Sequence, residues 1–426
     1  MLISTRRKKR GLLNSGFLAI VFALLFLSGL SAGETLLDRA TPEQKKLFAD
    51  IKPVILRNAA QPPLLLKDSE ESYFWLMSAR TIPLLQAYEY SHDPVFLAAY
   101  LPLQEQILSQ RFIHPSRPEW KGWFNFKGNG GEICPLIDHD TILYYVPVLM
   151  FVKQVREDPK LKEKYGAKAE AWFKDVEESI RAWDKRGCWN DLDAKTGYYS
   201  IVTEYPDKDG KITKNTTIFS GGTVQYNKVN ALYEALCLAY RMTGDDWYRV
   251  RMEKSAKFWR AHWREDGKHV EWNYRDHYLP ADYEGGVVGK GKTKTGAWVH
   301  RKGGYYRLDV QAATMLYDVG IFFKQPDMEK LIKTNLEFMW RQDTTPPTFK
   351  NINGVYAATG VKYNYDKGWL WTSLAHFDPR IRDLWKLSIE NSKKGWVPWS
   401  DTLGYLIEMS QPVNWEPRYI KEIPKK

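Results

Sequence analysis

The chain of 426 residues repeats one pattern, a pair of consecutive helices, five times along its length. In each copy an apolar stretch with helical periodicity runs into a short turn containing Asp, Pro or Gly, and a more charged helical stretch follows. The turns lie at residues 92–94, 158–159, 244–246, 325–327 and 378–379. Because the first helix of each pair is apolar on most sides and the second has a polar face, the pattern predicts an inner and an outer layer of helices.

Paired inner and outer helices stack either into an open solenoid or into a closed ring. The copies are separated by irregular intervals, which hold long loops at 120–138, 188–228 and 265–306. Further helices are predicted at 41–56 and 400–410. Irregular spacing argues against a regular solenoid, so the sequence predicts an all-α fold, an incomplete α/α toroid of about six to seven hairpins. The loops are expected at one end of the ring, around a cleft floored by the N-termini of the inner helices.

The N-terminal residues 1–33 have the pattern of an export signal. A basic segment at 6–10 precedes an apolar segment at 16–33, and Ser31 and Gly33 suit a cleavage site. We therefore predict a signal peptide at 1–33, one toroidal catalytic domain at 34–426, and a secreted or periplasmic protein. An uncleaved membrane anchor is the alternative, because the apolar segment approaches the length that spans a bilayer.

Composition narrows the class of partner. Residues 1–33 carry five cations and no acid, so their removal lowers the net charge from +11 to +6. A basic exported protein suits an anionic partner, and no motif for nucleic-acid binding is visible. The 18 Trp and 25 Tyr suit surfaces on which sugar rings stack, although tryptophans that simply fill a large core are the alternative. Three cysteines without CxxC spacing exclude a disulfide scaffold.

Three loops deliver polar residues to the predicted starts of inner helices. These clusters are Asp138, His139 and Asp140; Gln225, Tyr226, Asn227 and Lys228; and His300, Arg301, Tyr305, Tyr306 and Arg307. A fourth cluster, within the long loop before the last of these, is Tyr274, Arg275, His277 and Tyr278. If the ring closes, the clusters converge at one cleft, where helix N-termini also favour anions.

An amide, histidines, arginines and a tyrosine together suit β-elimination on a uronic acid polymer. The amide, histidine or arginine would neutralise the uronate carboxylate, and a tyrosine would act as base and acid. A free tyrosine titrates near pH 10, so nearby cations such as Arg301 and Arg307 would be needed to lower its pKa. The cluster at 300–307 therefore predicts a tyrosine whose pKa is lowered by nearby positive charge.

The chain resembles the alginate-lyase-like polysaccharide lyases with an α/α toroid, on the segments at 225–248 and 300–311. It looks most like polysaccharide lyase family 38, whose members act on alginate or glucuronan. The resemblance implies an Asn, then a His, then a Tyr in chain order, which Asn227, His277 or His300, and Tyr306 respect. The Asn-Asn-His run of better-known alginate lyases is absent, and Tyr226, Asn227 and Lys228 stand in its place.

From these arguments we predict a polysaccharide lyase acting on an anionic polysaccharide, without a cofactor. The predicted catalytic residues are Tyr306, His300, Asn227, Arg301 and His277, and the predicted substrate-binding residues are Gln225, His139, Arg307, Tyr305, Arg275 and Tyr226. Asp138, His139 and Asp140 are residue types that bind zinc, but adjacent side chains at a helix start diverge and the sequence has no HExxH or paired-Cys motif.

The main alternative is a glycoside hydrolase on the same toroid, either inverting or specific for unsaturated uronyl groups. It needs two carboxylic acids across the cleft. The candidates are Asp138, Asp140, Asp191, Asp193 and Glu271. A C5 uronate epimerase, which shares the proton abstraction, and a glycan-binding protein without activity also remain open.

Overall fold

Helices make up most of the structure, a computed structural model that describes residues 34–424 except 63, 66–71, 126–131, 134–136, 208, 357–366 and 392–398. The predicted signal segment and Cys134 lie outside the described residues. The α-helices are α1 (Leu36–Arg39), α2 (Pro42–Ala59), α3 (Ser72–Ser91), α4 (Pro94–Ser109), α5 (Ile137–Asp140), α6 (Val146–Glu157), α7 (Pro159–Lys185), α8 (Tyr226–Thr243), α9 (Asp246–Arg260), α10 (Gly304–Asp318), α11 (Gln325–Lys333), α12 (Pro379–Glu390) and α13 (Trp399–Met409).

Shorter elements complete these helices. π-Helical turns at Thr141–Tyr145 and Thr334–Met339 continue α5 and α11, and 3₁₀ helices lie at Pro280–Asp282, Thr372–His376 and Ile420–Glu422. The strands are β1 (Phe112–Ile113), β2 (Lys121–Gly122), β3 (Phe124–Asn125), β4 (Glu132–Ile133), β5 (Trp189–Asp191), β6 (Gly197–Tyr199), β7 (Glu204–Pro206), β8 (Ile212–Lys214), β9 (Arg264–Glu265) and β10 (Val270–Glu271). They pair consecutively into small antiparallel ribbons within the loops.

The repeated aspartate of the predicted turns caps the outer helices. The side chains of Asp93, Asp158, Asp245 and Asp378 each accept a hydrogen bond from the backbone N–H two residues further on, at 2.8–3.0 Å. Three of them are followed by a proline at the first helical position, where the missing N–H costs nothing. The Asp-Pro pairs thus end one helix and start the next.

The predicted toroid is confirmed. The inner layer consists of α3, the α5–α6 segment, α8, α10, the 3₁₀ helix Thr372–His376 and α13, and each packs against an outer helix. The last inner helix, α13, packs against the first, α3, and α2 covers their junction from outside. Long connections run from outer to inner helices, whereas connections from inner to outer helices are short. The long loops therefore gather at the N-terminal end of the inner helices, as predicted.

The C-terminal segment runs over the opposite end of the ring. Arg418 donates to both carboxylate oxygens of Glu408 on α13, at 3.0 and 3.1 Å, and its Nε lies 3.7 Å from Asp318 on α10. Arg382 of α12 joins the same network at 3.2 Å from Glu408. Arg241 of α8 pairs with a glutamate of the final 3₁₀ helix. Buried ion pairs thus tie the tail to several inner helices.

Large aromatic side chains fill the space between the two layers. Trp183, Trp259, Trp272 and Trp371 are each at most 1% exposed. Many of the tryptophans therefore serve the core, which is the alternative that composition left open. Among the described residues, none of the helices is both long enough and apolar enough to cross a membrane.

Candidate functional site

A narrow cavity enters the ring from the end where the long loops gather. The space in it that admits the centre of a water-sized molecule is about 20 Å³, enough for one or two waters. Its lining residues come from four inner segments and are Trp75, Ile142, Asn230, Ala231, Glu234, Leu308, Gln311, Ala312 and Met315. The lining is mostly apolar, and three of its side chains are polar: Asn230, Glu234 and Gln311.

Helical spacing explains which predicted residues reach this cavity. On α8, Asn227 lies one turn before Asn230 and Ala231, so it faces the same side at the mouth. On α10, Tyr305 lies one turn before Leu308 in the same way. Asn227 is 5% exposed, and its Oδ1 has no hydrogen-bond partner among the described residues.

Glu234 is the acidic group of the cavity wall. Its side chain lies on α8 among apolar neighbours, and Gln311 Nε2 donates to its Oε2 at 3.5 Å. Burial raises the pKa of Glu234 well above its ordinary value of 4.5, because the apolar surroundings disfavour the charged form. Burial therefore favours the protonated form of the Glu234 carboxyl group. Sequence analysis missed this residue, although an acid within the apolar run of an inner helix was a visible signal.

Asp138 is the second carboxyl group on this side of the ring. It lies one turn before the cavity-lining Ile142 and is 3% exposed. Lys228 Nζ, at the start of α8, donates to its Oδ2 at 3.4 Å. Its Oδ1 has no hydrogen-bond partner among the described residues. Asp138 thus lies at the mouth with a positive charge beside it.

The depth of Glu234 below Asp138 follows from the geometry of α8. Lys228, which contacts Asp138, precedes Glu234 by six residues on that helix. A rise of ~1.5 Å per residue places Glu234 about 9 Å further into the ring than Lys228. The two carboxyl groups therefore lie on neighbouring inner segments at different depths.

Asp140 faces away from the cavity, toward the outer layer. It is buried, and its pKa is raised to about 6, chiefly by burial, while Arg186 and Arg111 act in the opposite direction. Arg111 is held by Asp175 of α7 at 2.5 Å, and Arg186 follows the end of α7. Two residues along a helix point to nearly opposite sides, which separates Asp140 from Asp138.

The other carboxylates named for a hydrolase lie on the surface. Asp191 pairs with Lys254 at 2.7 Å, and Asp193 accepts from backbone N–H groups of its own turn. Glu271 pairs with Arg264 at 3.0 Å in the ribbon of β9 and β10. Among the described residues, no three potential ligand side chains of His, Cys, Asp or Glu are placed to share a metal ion.

Four of the predicted tyrosines and arginines have their polar ends bound within the protein. Tyr306 is 1% exposed, and its hydroxyl accepts a hydrogen bond from the His300 backbone N–H at 2.7 Å. Burial raises rather than lowers the pKa of Tyr306. Arg307 donates to Asp401 and Thr372, both at 2.7 Å, which joins three inner segments. Two further pairs are Arg275 with Asp282 at 2.8 Å and Tyr226 with Asp276 at 3.0 Å.

The remaining predicted residues surround the mouth. The His300 ring contacts both Tyr274 and Tyr305, at 4.6 and 4.7 Å between centroids, and burial lowers its pKa to about 4. Arg301 is exposed beside it. Two others lie deeper: His277 Nε2 is 2.9 Å from Thr295 Oγ1, and the fully buried His139 stacks on Phe74 at 4.5 Å. Gln225 occupies the N-cap position of α8.

Replacing Tyr306 by Phe is expected to cost only about 1 kcal/mol of stability, because it removes one hydrogen bond and leaves one backbone N–H without its acceptor. Activity on any substrate should stay within about twofold of wild type, since the change is isosteric. Thermal unfolding and a rate assay measure the two effects. A loss of activity greater than a hundredfold in a folded variant would contradict this structural role.

No protein-family model matches the sequence, and no curated protein matches it. The structure is similar to solved structures of the α-1,6-mannanase GH76A of Salegentibacter sp. HEL1_6. One solved structure of this enzyme has a TM-score of 0.45 at 12% identity, covering 85% of this chain and 98% of that chain. An inactive variant of this enzyme in complex with α-1,6-mannotriose has a TM-score of 0.48 at 11% identity, covering 85% of this chain and 100% of that chain. Another inactive variant, in complex with α-1,6-mannotetrose, has a TM-score of 0.48 at 12% identity, covering 85% of this chain and 99% of that chain.

The predicted lyase family and lyase activity are wrong. The similar solved structures are of an α-1,6-mannanase and not of a polysaccharide lyase. The physical reason is visible at Tyr306, whose hydroxyl is buried, with its pKa raised, and already accepts a hydrogen bond.

Proposed function

We propose that this protein is a glycoside hydrolase that cleaves a polysaccharide chain, with Asp138 and Glu234 as its paired carboxyl groups. The observation that carries the proposal is the contrast between their surroundings. Asp138 lies beside the Lys228 ammonium, whereas Glu234 lies in an apolar wall that raises its pKa. Glycosidic hydrolysis needs one protonated and one ionised carboxyl group, and different environments produce that difference.

The two groups have complementary tasks in this reaction. Glu234 donates its proton to the glycosidic oxygen, and the Asp138 carboxylate takes a proton from the attacking water. The bond from the anomeric carbon to the glycosidic oxygen breaks as the bond to the water oxygen forms. Inverting enzymes hold two such groups ~6.5–9.5 Å apart, which leaves room for this water. Because Asp138 activates the water directly, we expect inversion at the anomeric carbon.

The mouth supplies groups that suit a sugar ring. Trp75 is half-buried in the cavity wall and offers an aromatic face. The Oδ1 atoms of Asn227 and Asn230 have no hydrogen-bond partner among the described residues, so they can accept from sugar hydroxyls. Nδ2 of Asn230 donates to Asp309 at 2.7 Å, which fixes the orientation of that amide.

The test is to incubate the purified protein with a panel of α- and β-linked polysaccharides, including α-1,6-mannan, and to measure the reducing ends that it releases. We expect new reducing ends on one polymer, without the ultraviolet absorbance of an unsaturated uronate. Proton NMR of the first product should show the inverted anomer. No reducing ends on any polymer, or an unsaturated product, would contradict the proposal.

A pH dependence of stability follows from the raised pKa of Glu234. Above pH 4.5 the unfolded state loses this proton while the folded state keeps it, so stability falls as pH rises toward the folded pKa. Glu234→Gln removes this titration, so its Tm should exceed that of wild type by a margin that grows with pH over this window. Differential scanning calorimetry from acidic to alkaline pH measures the margin.

Glu271→Gln is the matched control, because Glu271 is partly exposed and paired with Arg264. It should show no growing advantage with pH. A Tm difference for Glu234→Gln that is the same at every pH would contradict the buried neutral acid.

A further inference from the structure

Two isolated antiparallel bridges hold together a long loop before α10, beside the mouth of the cavity. Tyr274 and Trp298 lie at its base, where Tyr274 N–H donates to the Trp298 carbonyl at 2.7 Å, and the Arg275–Trp298 bridge continues the pairing. Further out, Tyr283 pairs with Thr293. Tyr226 N–H at the start of α8 donates to the Tyr274 carbonyl at 3.1 Å, which fixes the base of the ribbon to an inner helix. Residues 274–298 are called the rim ribbon below.

Aromatic rings form a continuous group from the rim ribbon to the cavity. Tyr274 lies 6.1 Å from Trp298 and stacks on Tyr305 at 5.4 Å, measured between ring centroids. Tyr305 lies one turn above the cavity-lining Leu308. Trp298 is 38% exposed, in contrast to the buried tryptophans of the core. An exposed tryptophan at the outer end of an aromatic row that leads into a cavity offers a flat face to a bound chain.

The same region carries a concentrated positive charge. Residues 274–302 contain six cations and three acids, a net charge of +3. Arg275, Asp276 and Asp282 are buried, and Arg275 pairs with Asp282. The exposed charges are Lys290, Lys292, Lys294 and Arg301 and one acid, Glu284, which lies 3.8 Å from Lys292. Such a surface attracts an anionic chain, with a strength that falls as salt is added.

We propose that the rim ribbon binds an acidic polysaccharide, one whose sugars carry carboxylate, sulfate or phosphate groups, and leads it into the cavity. Sugar rings stack on Trp298 and Tyr274, while the ribbon lysines contact the acidic groups. This inference rests on the proposed function, because it names the class of chain that the same cavity takes. An anionic membrane suits the position of the aromatic faces less well, since Trp298 lies at the base of the ribbon and not at its tip.

Three polymers with one backbone separate charge from sugar contacts: neutral dextran, carboxymethyl-dextran and dextran sulfate. Binding is measured by affinity electrophoresis and calorimetry on full-length Asp138→Asn, in which substrate stays intact. We expect both charged polymers to bind at least about tenfold more tightly than dextran, and added salt to weaken that binding. Tighter binding of carboxymethyl-dextran would indicate that the rim ribbon prefers carboxylate groups, and tighter binding of dextran sulfate that it prefers ester groups. Equal binding of all three, or binding only to anionic lipid vesicles, would overturn the inference.

Substitutions test the two parts of the surface. Trp298→Ala should weaken binding of the charged polymers about tenfold, and Trp298→Phe should retain it. Changing Lys290, Lys292 and Lys294 together to Ser should remove most of the salt dependence. Trp172→Ala, on outer helix α7, is the matched control and should bind as the parent does. Tm values identify any variant that fails to fold.

The inference and the proposed function fail in different ways. A wild-type protein that releases no reducing ends but loses glycan binding on Trp298→Ala would refute hydrolysis and support the rim ribbon. A wild-type protein that cleaves a polymer, with binding and KM unchanged in Trp298→Ala, would support hydrolysis and overturn the rim ribbon.

Discussion

Glu234→Gln is expected to lower kcat about 10³-fold on whichever polysaccharide the wild type hydrolyses, with little change in KM. Glutamine keeps the shape of the side chain and its contact with Gln311, but it cannot donate the proton that the leaving oxygen needs. Initial rates of reducing-end release across a range of substrate concentrations separate kcat from KM.

Asp138→Asn should cause a loss of similar size, because the amide cannot take a proton from water. If the two carboxyl groups act in one step, the double variant should be hardly slower than either single variant. Asp191→Asn is the matched control: Asp191 is a surface carboxylate paired with Lys254, and its replacement should leave the rate unchanged. A Glu234→Gln variant that keeps more than about a tenth of the wild-type rate would exclude Glu234 as the acid.

Arg418→Met is expected to lower the free energy of unfolding by about 3–5 kcal/mol, the largest stability effect that we predict. Arg418 is 6% exposed and is bidentate to Glu408, which is 5% exposed. Its removal leaves Glu408 and the neighbouring Asp318 buried with less positive charge around them. Chemical denaturation monitored by tryptophan fluorescence measures the loss.

Two further variants show whether that loss of stability comes from the buried ion pair. Lys386→Met breaks an exposed pair with Glu43 and should hardly change stability. Arg418→Met combined with Glu408→Leu should recover part of the loss, since no carboxylate of that pair remains buried. If Arg418→Met were as stable as wild type, the tail could not be held by this network.

The architecture could be predicted because its signals are local. Each inner helix is apolar over most of its surface, and the Asp-Pro turns that separate the helices are also the N-caps of the outer helices. The opening helix at 42–59 and the closing helix at 399–409 lie within a few residues of their predicted positions. Capping and periodicity depend on neighbours in sequence, so a sequence alone contains them.

The chemistry of the site could not be predicted in the same way. The cations and phenols at 300–307 look similar in sequence, yet Arg307 and Tyr306 turn inward to structural partners while Tyr305 faces the mouth. The pKa of Glu234 depends on apolar side chains from other helices that approach it only in the folded ring. Which partner a polar group finds is decided by tertiary contacts, and these are not periodic.

The contact between α13 and α3 has a consequence for the order of events during folding. These two helices are about 300 residues apart in sequence, so the ring closes only through a contact of very long range. A ribosome has to release the last helix before the first can be covered. We therefore expect the unfinished chain to expose, throughout synthesis, the side of α3 that α13 later covers. Any chain truncated before α13 should keep that apolar side open to water and aggregate more readily than the whole chain.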